Sequence, residues 1–159
     1  MVDIPDMALN TYHCKPIVLP ALDFTYAFDS VGPNGEIRKI IQFQPIAETI
    51  NGLKVVNLAF GDYITDGYAI NDRSVSNNGD TNKVLATVAK TAVNYLDEFG
   101  PALIIVKGTT PARTRLYQIA LNNYRIELEK LFEVLGLIDE QWEPFIKGYN
   151  YSAFLFSRK

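Results

Sequence analysis

Along the 159 residues the spacing of apolar positions changes several times, and each change marks an element. From Leu22 to Phe28 apolar and polar residues alternate, the period of a strand with one buried face. Gly32-Pro33-Asn34-Gly35 supplies turn residues and a second strand follows over 37–43, so the pair reads as an antiparallel hairpin. Asn51-Gly52 introduces a third strand over 53–60, which ends at Gly61-Asp62. The stretch 63–78 then loses its periodicity and carries Asp66, Asp72 and Arg73. A loop of that length inside a compact domain is more often functional or mobile than idle.

Near residue 80 the period becomes helical. Val84, Leu85, Val88, Ala92, Tyr95, Leu96 and Phe99 recur at three and four, which gives one buried face, with Asp80 or Thr81 as the cap and Gly100-Pro101 as the stop. Ala102-Leu103-Ile104-Ile105-Val106 is apolar throughout, the pattern of a central strand covered on both faces. Pro111 opens a second helix that runs to Asn122-Asn123 and continues over 126–132. Residues 142–147 and 149–156 are expected to form a closing hairpin turned at Gly148 or just before it. The fold class that follows is α+β: one mixed, mainly antiparallel sheet in the order β-β-β-α-β-α-β-β with two main helices. Residues 1–20, with Pro5, Pro16 and Pro20, are expected to be an irregular N-terminal leader, and 21–159 a single α+β domain.

Composition removes several function classes. A net charge of −3, from 15 basic and 18 acidic residues, argues against a protein that coats nucleic acid by bulk electrostatics. One histidine, His13, and one cysteine, Cys14, leave no histidine cluster for zinc and no intramolecular disulfide. No metal site and no cofactor are implied. No apolar run approaches the roughly 18 residues that span a bilayer and the first residues lack a secretory pattern, so no membrane partner is expected and the cytoplasm is the expected location. Asp62, Asp66, Asp72 and Asp80 lack the alternation, central glycine and closing glutamate of a calcium loop. His13 and Cys14, as strand neighbours, point to opposite faces. The aromatic end, from Trp142 and Phe145 to Phe156, has only Lys147, Arg158 and Lys159 beside it, so core packing is preferred to base stacking.

The chemistry concentrates in Lys107-Gly108-Thr109-Thr110-Pro111-Ala112-Arg113-Thr114-Arg115-Leu116-Tyr117. A buried strand empties there into a small-residue loop that becomes a helix N-terminus, where free N–H groups and the helix dipole attract an anion. Gly108 lets a ligand approach the backbone, and the hydroxyls of Thr109 and Thr110 either cap the helix or donate to phosphate oxygens. Lys107, Arg113 and Arg115 bring three cations to a chain of negative net charge. The plainer account makes Thr110 an N-cap and pairs the arginines with Asp62, Glu127 or Glu129. A second helix start at 77–83 offers Gly79 and Lys83 to a phosphate, but Asp80 is itself an anion there. The site residues are thus Lys107, Gly108, Thr109, Thr110, Arg113 and Arg115 for an anion, with Tyr117 the candidate catalytic acid.

These residues support an anion-binding module for a phosphate-bearing ligand, a nucleotide or a nucleic acid. Two alternatives stand beside it. One is a small metal-free enzyme at the same site, either an acyltransferase or a toxin-like ribonuclease in which the three cations stabilise a phosphorane. The other is a protein-interaction module in which Arg113 and Arg115 contact an acidic partner.

The 107–117 run, with Asn78-Gly79-Asp80-Thr81 ahead of the first helix and Trp142-Glu143-Pro144-Phe145 ahead of Tyr151-Ser152-Ala153-Phe154, resembles a family of small uncharacterised bacterial proteins. Their loop typically reads Gly-Ser-Thr-Pro-Ala-Arg-Thr-Arg-Leu-Tyr, with Thr109 here in place of the serine. The resemblance spans most of 24–159; it implies a single-domain bacterial protein and no activity. The order of elements is also similar to the acyl-coenzyme A N-acyltransferases (the GNAT superfamily). That similarity would make 77–83 the pyrophosphate loop and Tyr117 the general acid, although the family's Arg/Gln-x-x-Gly-x-Gly/Ala loop is missing and Asp80 repels pyrophosphate.

Overall fold

The computed structural model describes residues 10–19, 22–64, 69–71 and 78–159. Nine strands make one sheet among them, in the order β1-β2-β3-β4-β6-β9-β7-β8, with β5 against β4. The strands are β1 (Lys15–Leu19), β2 (Leu22–Gly32), β3 (Gly35–Ile50), β4 (Leu53–Ile64), β5 (Ala69–Asn71), β6 (Leu103–Val106), β7 (Phe132–Ile138), β8 (Gln141–Pro144) and β9 (Phe154–Arg158). The helices are α1 (Thr81–Phe99), α2 (Pro111–Asn123) and the short α3 (Arg125–Leu131). All strand pairs are antiparallel except β4 with β6. The molecule is α+β with one mixed, mainly antiparallel sheet, as the pattern of apolar positions predicts.

Both expected turns on the first half of the sheet form. Gly32 pairs with Gly35 across Pro33-Asn34, and Asn51 and Gly52 hold φ of 52° and 79°, the left-handed pair of a tight hairpin. α1 buries Val84, Val88, Ala92, Tyr95 and Leu96 and ends where Gly100, at φ 98°, donates its N–H to Leu96 O at 3.0 Å. From β4 the chain crosses through α1 to β6, and the two strands lie parallel side by side. α2 and α3 then carry it from β6 to β7, which leaves a gap between these strands that β9 fills.

The core follows from this layout. Side chains of α1, α2 and α3 pack on one sheet face against Phe43, Leu58, Ile104, Phe154 and Phe156. The opposite face carries a smaller cluster around Val55, Leu103 and Leu155. β6, between β4 and β9, contributes to both, as expected of a strand covered on two faces.

Three expectations are corrected. Lys15–Leu19, inside the stretch read as an irregular leader, is an edge strand on β2, where proline is tolerated because one row of N–H groups has no strand to bond. The closing hairpin is β7–β8, turned at Asp139-Glu140, and not a hairpin at Gly148. Asp139 and Glu140 adopt φ of 50° and 63° without a glycine to announce the turn. Third, 63–64 end β4 and 69–71 form β5, so the long loop is interrupted. Its other residues up to 77, with Asp66, Asp72 and Arg73, lie outside the described residues.

Candidate functional site

β6 delivers the chain to α2 through Lys107 to Thr110, and the hydrogen bonds of this junction explain its small residues. Thr110 is the N-cap: its Oγ1 accepts from the N–H of Arg113 at 3.1 Å, and Pro111 fills the first helical position, where its missing donor costs nothing. Thr114 Oγ1 accepts from the N–H of Gly108 at 3.0 Å and donates to Thr110 O at 3.2 Å. A Cβ at 108 would stand 2.5 Å from Thr114 N and 2.7 Å from Arg113 Cγ. Gly108 is therefore small so that α2 can close against the loop: the direction a Cβ would take is filled by the helix, while the residue also borders an open groove.

Helical geometry then separates the predicted cations. Successive α-helical residues turn by about 100°, so Arg113 and Tyr117 share one side of α2 while Arg115 lies about 200° from Arg113. Lys107, Gly108, Thr109, Thr110 and Arg115 border one groove. Arg113 and Tyr117 line a different pocket, of about 350 Å³, between α1, α2 and the adjoining ends of β3 and β4. Lys107 and Arg115 are exposed. The carboxylates proposed as structural partners for the arginines are engaged elsewhere: Asp62 pairs with Lys39, Glu127 with Lys130 and Glu129 with Arg125.

In the second pocket Arg113 is only 8% exposed. Among the described residues no carboxylate lies within ion-pair distance of it and its side chain makes no hydrogen bond. Tyr117 is buried beside it, its ring stacked on Phe60 at 5.4 Å. Lys39, 3% exposed, also lines the pocket. It faces Asp62 across the β3–β4 ladder and forms a buried ion pair with it. Lys39 is the residue that the sequence reading missed. The signal was present: Lys39 interrupts the apolar alternate positions Ile37, Ile41 and Phe43, which places a cation on the helix-covered face of β3.

The start of α1 forms the pocket rim and is already committed. Asp80 occupies the N-cap position without making a side-chain cap bond; its Oδ2 instead accepts from Tyr12 OH at 2.6 Å and Ser30 Oγ at 2.5 Å. Burial first, and then this bond to Asp80, push the Tyr12 hydroxyl above its ordinary pKa. Asn78 is buried, donates from Nδ2 to Gly35 O at 2.9 Å and accepts at Oδ1 from Asn34 N at 2.8 Å. The second helix start, where Asp80 already argued against a phosphate, thus locks the β2–β3 turn onto α1. The Lys83 ammonium lies 4.2 Å from the Tyr12 ring centroid, a cation–π contact.

Other candidates resolve more simply. His13 is exposed and Cys14 half-buried, and burial pushes the Cys14 thiol up, the opposite of what a nucleophile needs. Phe145, Tyr151 and Phe154 are buried and in ring contact with one another, so these rings of the aromatic end are core, whereas Tyr149 is exposed. Among the described residues no three His, Cys, Asp or Glu side chains converge on a metal-sized site, and no helix is long and apolar enough to cross a membrane. The model of a family of unknown function (DUF6934) matches residues 11–159, and the chain belongs to that family. No curated protein and no solved structure matches it.

Proposed function

We propose that this family member is an anion-binding module whose ligand enters the pocket between α1 and α2 and meets Arg113. The supporting observation is the state of that side chain: more than nine-tenths buried, lining a pocket, and without a counter-charge among the described residues. Removing a guanidinium from water without a partner costs several kcal/mol, of order 3–5 where a buried pair is broken. A bound anion offsets that cost. Lys39 is neutralised by Asp62, and the Asp80 carboxylate at the rim accepts from two hydroxyls and lies outside ion-pair distance of Arg113, so that among the described residues Arg113 has no carboxylate partner.

The separation of the cations favours a small ligand over nucleic acid. A phosphate backbone asks for a continuous basic stripe, whereas Arg113 and Arg115 project from opposite sides of α2. Tyr117 borders the same pocket with its ring stacked on Phe60; the binding role needs no chemical step. Isothermal titration with inorganic phosphate, sulfate and acetate tests the proposal. The native chain should bind at least one of them, Arg113→Gln should lose it, and Lys107→Gln with Arg115→Gln should keep it. Binding that survives Arg113→Gln and fails in the Lys107/Arg115 pair would move the site to the opposite groove, and an absence of binding by all three anions and by longer-chain carboxylates would retire the proposal.

A further inference from the structure

The pocket is more apolar than an inorganic anion requires. Arg113, Lys39, Asn78, Asp80, Thr81 and Asn123 contribute polar groups to its lining, while Phe60, Val84, Leu85, Leu116, Ile119 and Ala120 line much of the remainder. Two of these, Leu116 and Ile119, are 54% and 51% exposed on α2, at positions where a helix facing only water would carry polar side chains. They form an apolar lip. Deeper in the molecule, and sharing Phe60, Leu85, Tyr117 and Ala120 as walls, is a void of about 60 Å³ lined by such side chains as Val88, Leu128 and Phe156. Native interiors seldom leave apolar space unfilled, because atoms facing a gap lose their dispersion contacts. A void with these walls stays dry and has room for about two water-sized groups.

We infer that the ligand is an amphiphilic monoanion: a carboxylate on an unbranched hydrocarbon chain, with the head group on Arg113 and the chain along Tyr117 and Ala120 toward the inner void. This rests on the anion-binding reading and adds the ligand's chemical class. One unmatched cation calls for one negative charge, and the planar guanidinium fits a carboxylate with two parallel hydrogen bonds. A dianionic phosphate would bring excess charge to a rim that already holds Asp80. The chain answers the apolar walls, which an inorganic ion leaves without a partner.

The test is a chain-length series of straight-chain carboxylates from acetate to dodecanoate, titrated into the full chain, with octanol and octyl phosphate as controls. Each buried methylene should tighten binding about fourfold, the factor equivalent to about 0.8 kcal/mol, until the pocket is filled and the gain stops. Octanoate should bind at least about 100-fold tighter than acetate, lose most of that affinity in Arg113→Gln, and exceed both octanol and octyl phosphate. Ala120→Leu, which narrows the wall shared with the void, should remove the chain-length gain, so that octanoate binds little tighter than acetate in that variant. Acetate or phosphate binding as tightly as octanoate would overturn this inference and leave the anion site standing. Octyl phosphate binding tighter than octanoate would overturn the carboxylate assignment. Octanol binding as well as octanoate, with Arg113→Gln without effect, would overturn both, as would a complete absence of binding.

Discussion

Two arginines of one helix, two positions apart, live under opposite conditions. Arg115 stands in water beside the Lys107–Thr110 loop, where the cap hydrogen bonds of Thr110 and Thr114 are internal to the fold. Arg113 is buried on the other side of α2, in the pocket lined also by Tyr117 and Lys39, with no carboxylate partner among the described residues. Their energetic meaning differs accordingly. An exposed cation keeps its hydration and costs the fold almost nothing, whereas a buried one must be matched by something, and here that something is not among the described residues. Counting cations in the 107–115 segment points to this helix, and the rotation of the helix puts one of them in a pocket and the other in water.

The largest effect expected along this junction belongs to neither arginine. Gly108→Ala places a Cβ within 2.5 Å of the Thr114 backbone nitrogen, and neither that atom nor the Arg113 backbone can swing aside. Overpacking of this kind costs about 1–3 kcal/mol, occasionally more, so urea unfolding should show a loss at or above the top of that range. A loss below about 0.5 kcal/mol, the scatter of surface substitutions, would mean that the junction tolerates a side chain and that the groove beside Arg115 has room to work as a ligand site. In that case the distinction between the two sides of α2 would disappear.

Arg113→Met comes next and tests the buried side. Methionine keeps much of the stem that packs near Gly108 while removing the charge. Replacing buried ionic groups with apolar ones of similar size is often neutral or stabilising, so stability should stay level or rise by about 1 kcal/mol, measured by thermal and urea unfolding without ligand. Binding of any anion should fall in the same variant. A destabilisation of more than about 2 kcal/mol, the scale of a broken buried pair, would show that Arg113 serves the fold.

What the chain's own pattern reveals follows the range of the interactions involved. α1 and β6 are legible because their periods are local: one apolar stripe and one continuous apolar run. The β2–β3 and β3–β4 turns are legible because glycine and asparagine mark left-handed backbone. The β7–β8 turn is not, since Asp139 and Glu140 take up that conformation without a marker residue. β9 slides between β6 and β7, so its partners are set by the path of α2 and α3, and nothing near Phe154 encodes them. The site divides in the same way. The Thr110 cap and the cations were readable from residue type and order. The neighbourhood of Arg113 was not, because it needs β3 to carry Lys39 to the same cavity, and those residues are far apart in the chain.

The smallest effect is the most direct probe of the exposed side. Arg115 follows an N-terminal cap, at the end of the helix that carries partial positive charge, so its cation sits slightly against the dipole. Removing it with Arg115→Ala should raise stability by a few tenths of a kcal/mol at low ionic strength. The gain should fade as salt rises, because the side chain is solvated and the Debye length shrinks to about 3 Å at 1 M. Denaturation midpoints at two salt concentrations would detect it. A loss of more than about 1 kcal/mol, beyond the ordinary range for an exposed position, would mean that Arg115 has a partner of its own and that both sides of α2 hold their arginines in place. A small, salt-sensitive gain beside the salt-independent behaviour expected of Arg113→Met would confirm that one cation answers to water and the other to whatever enters the pocket.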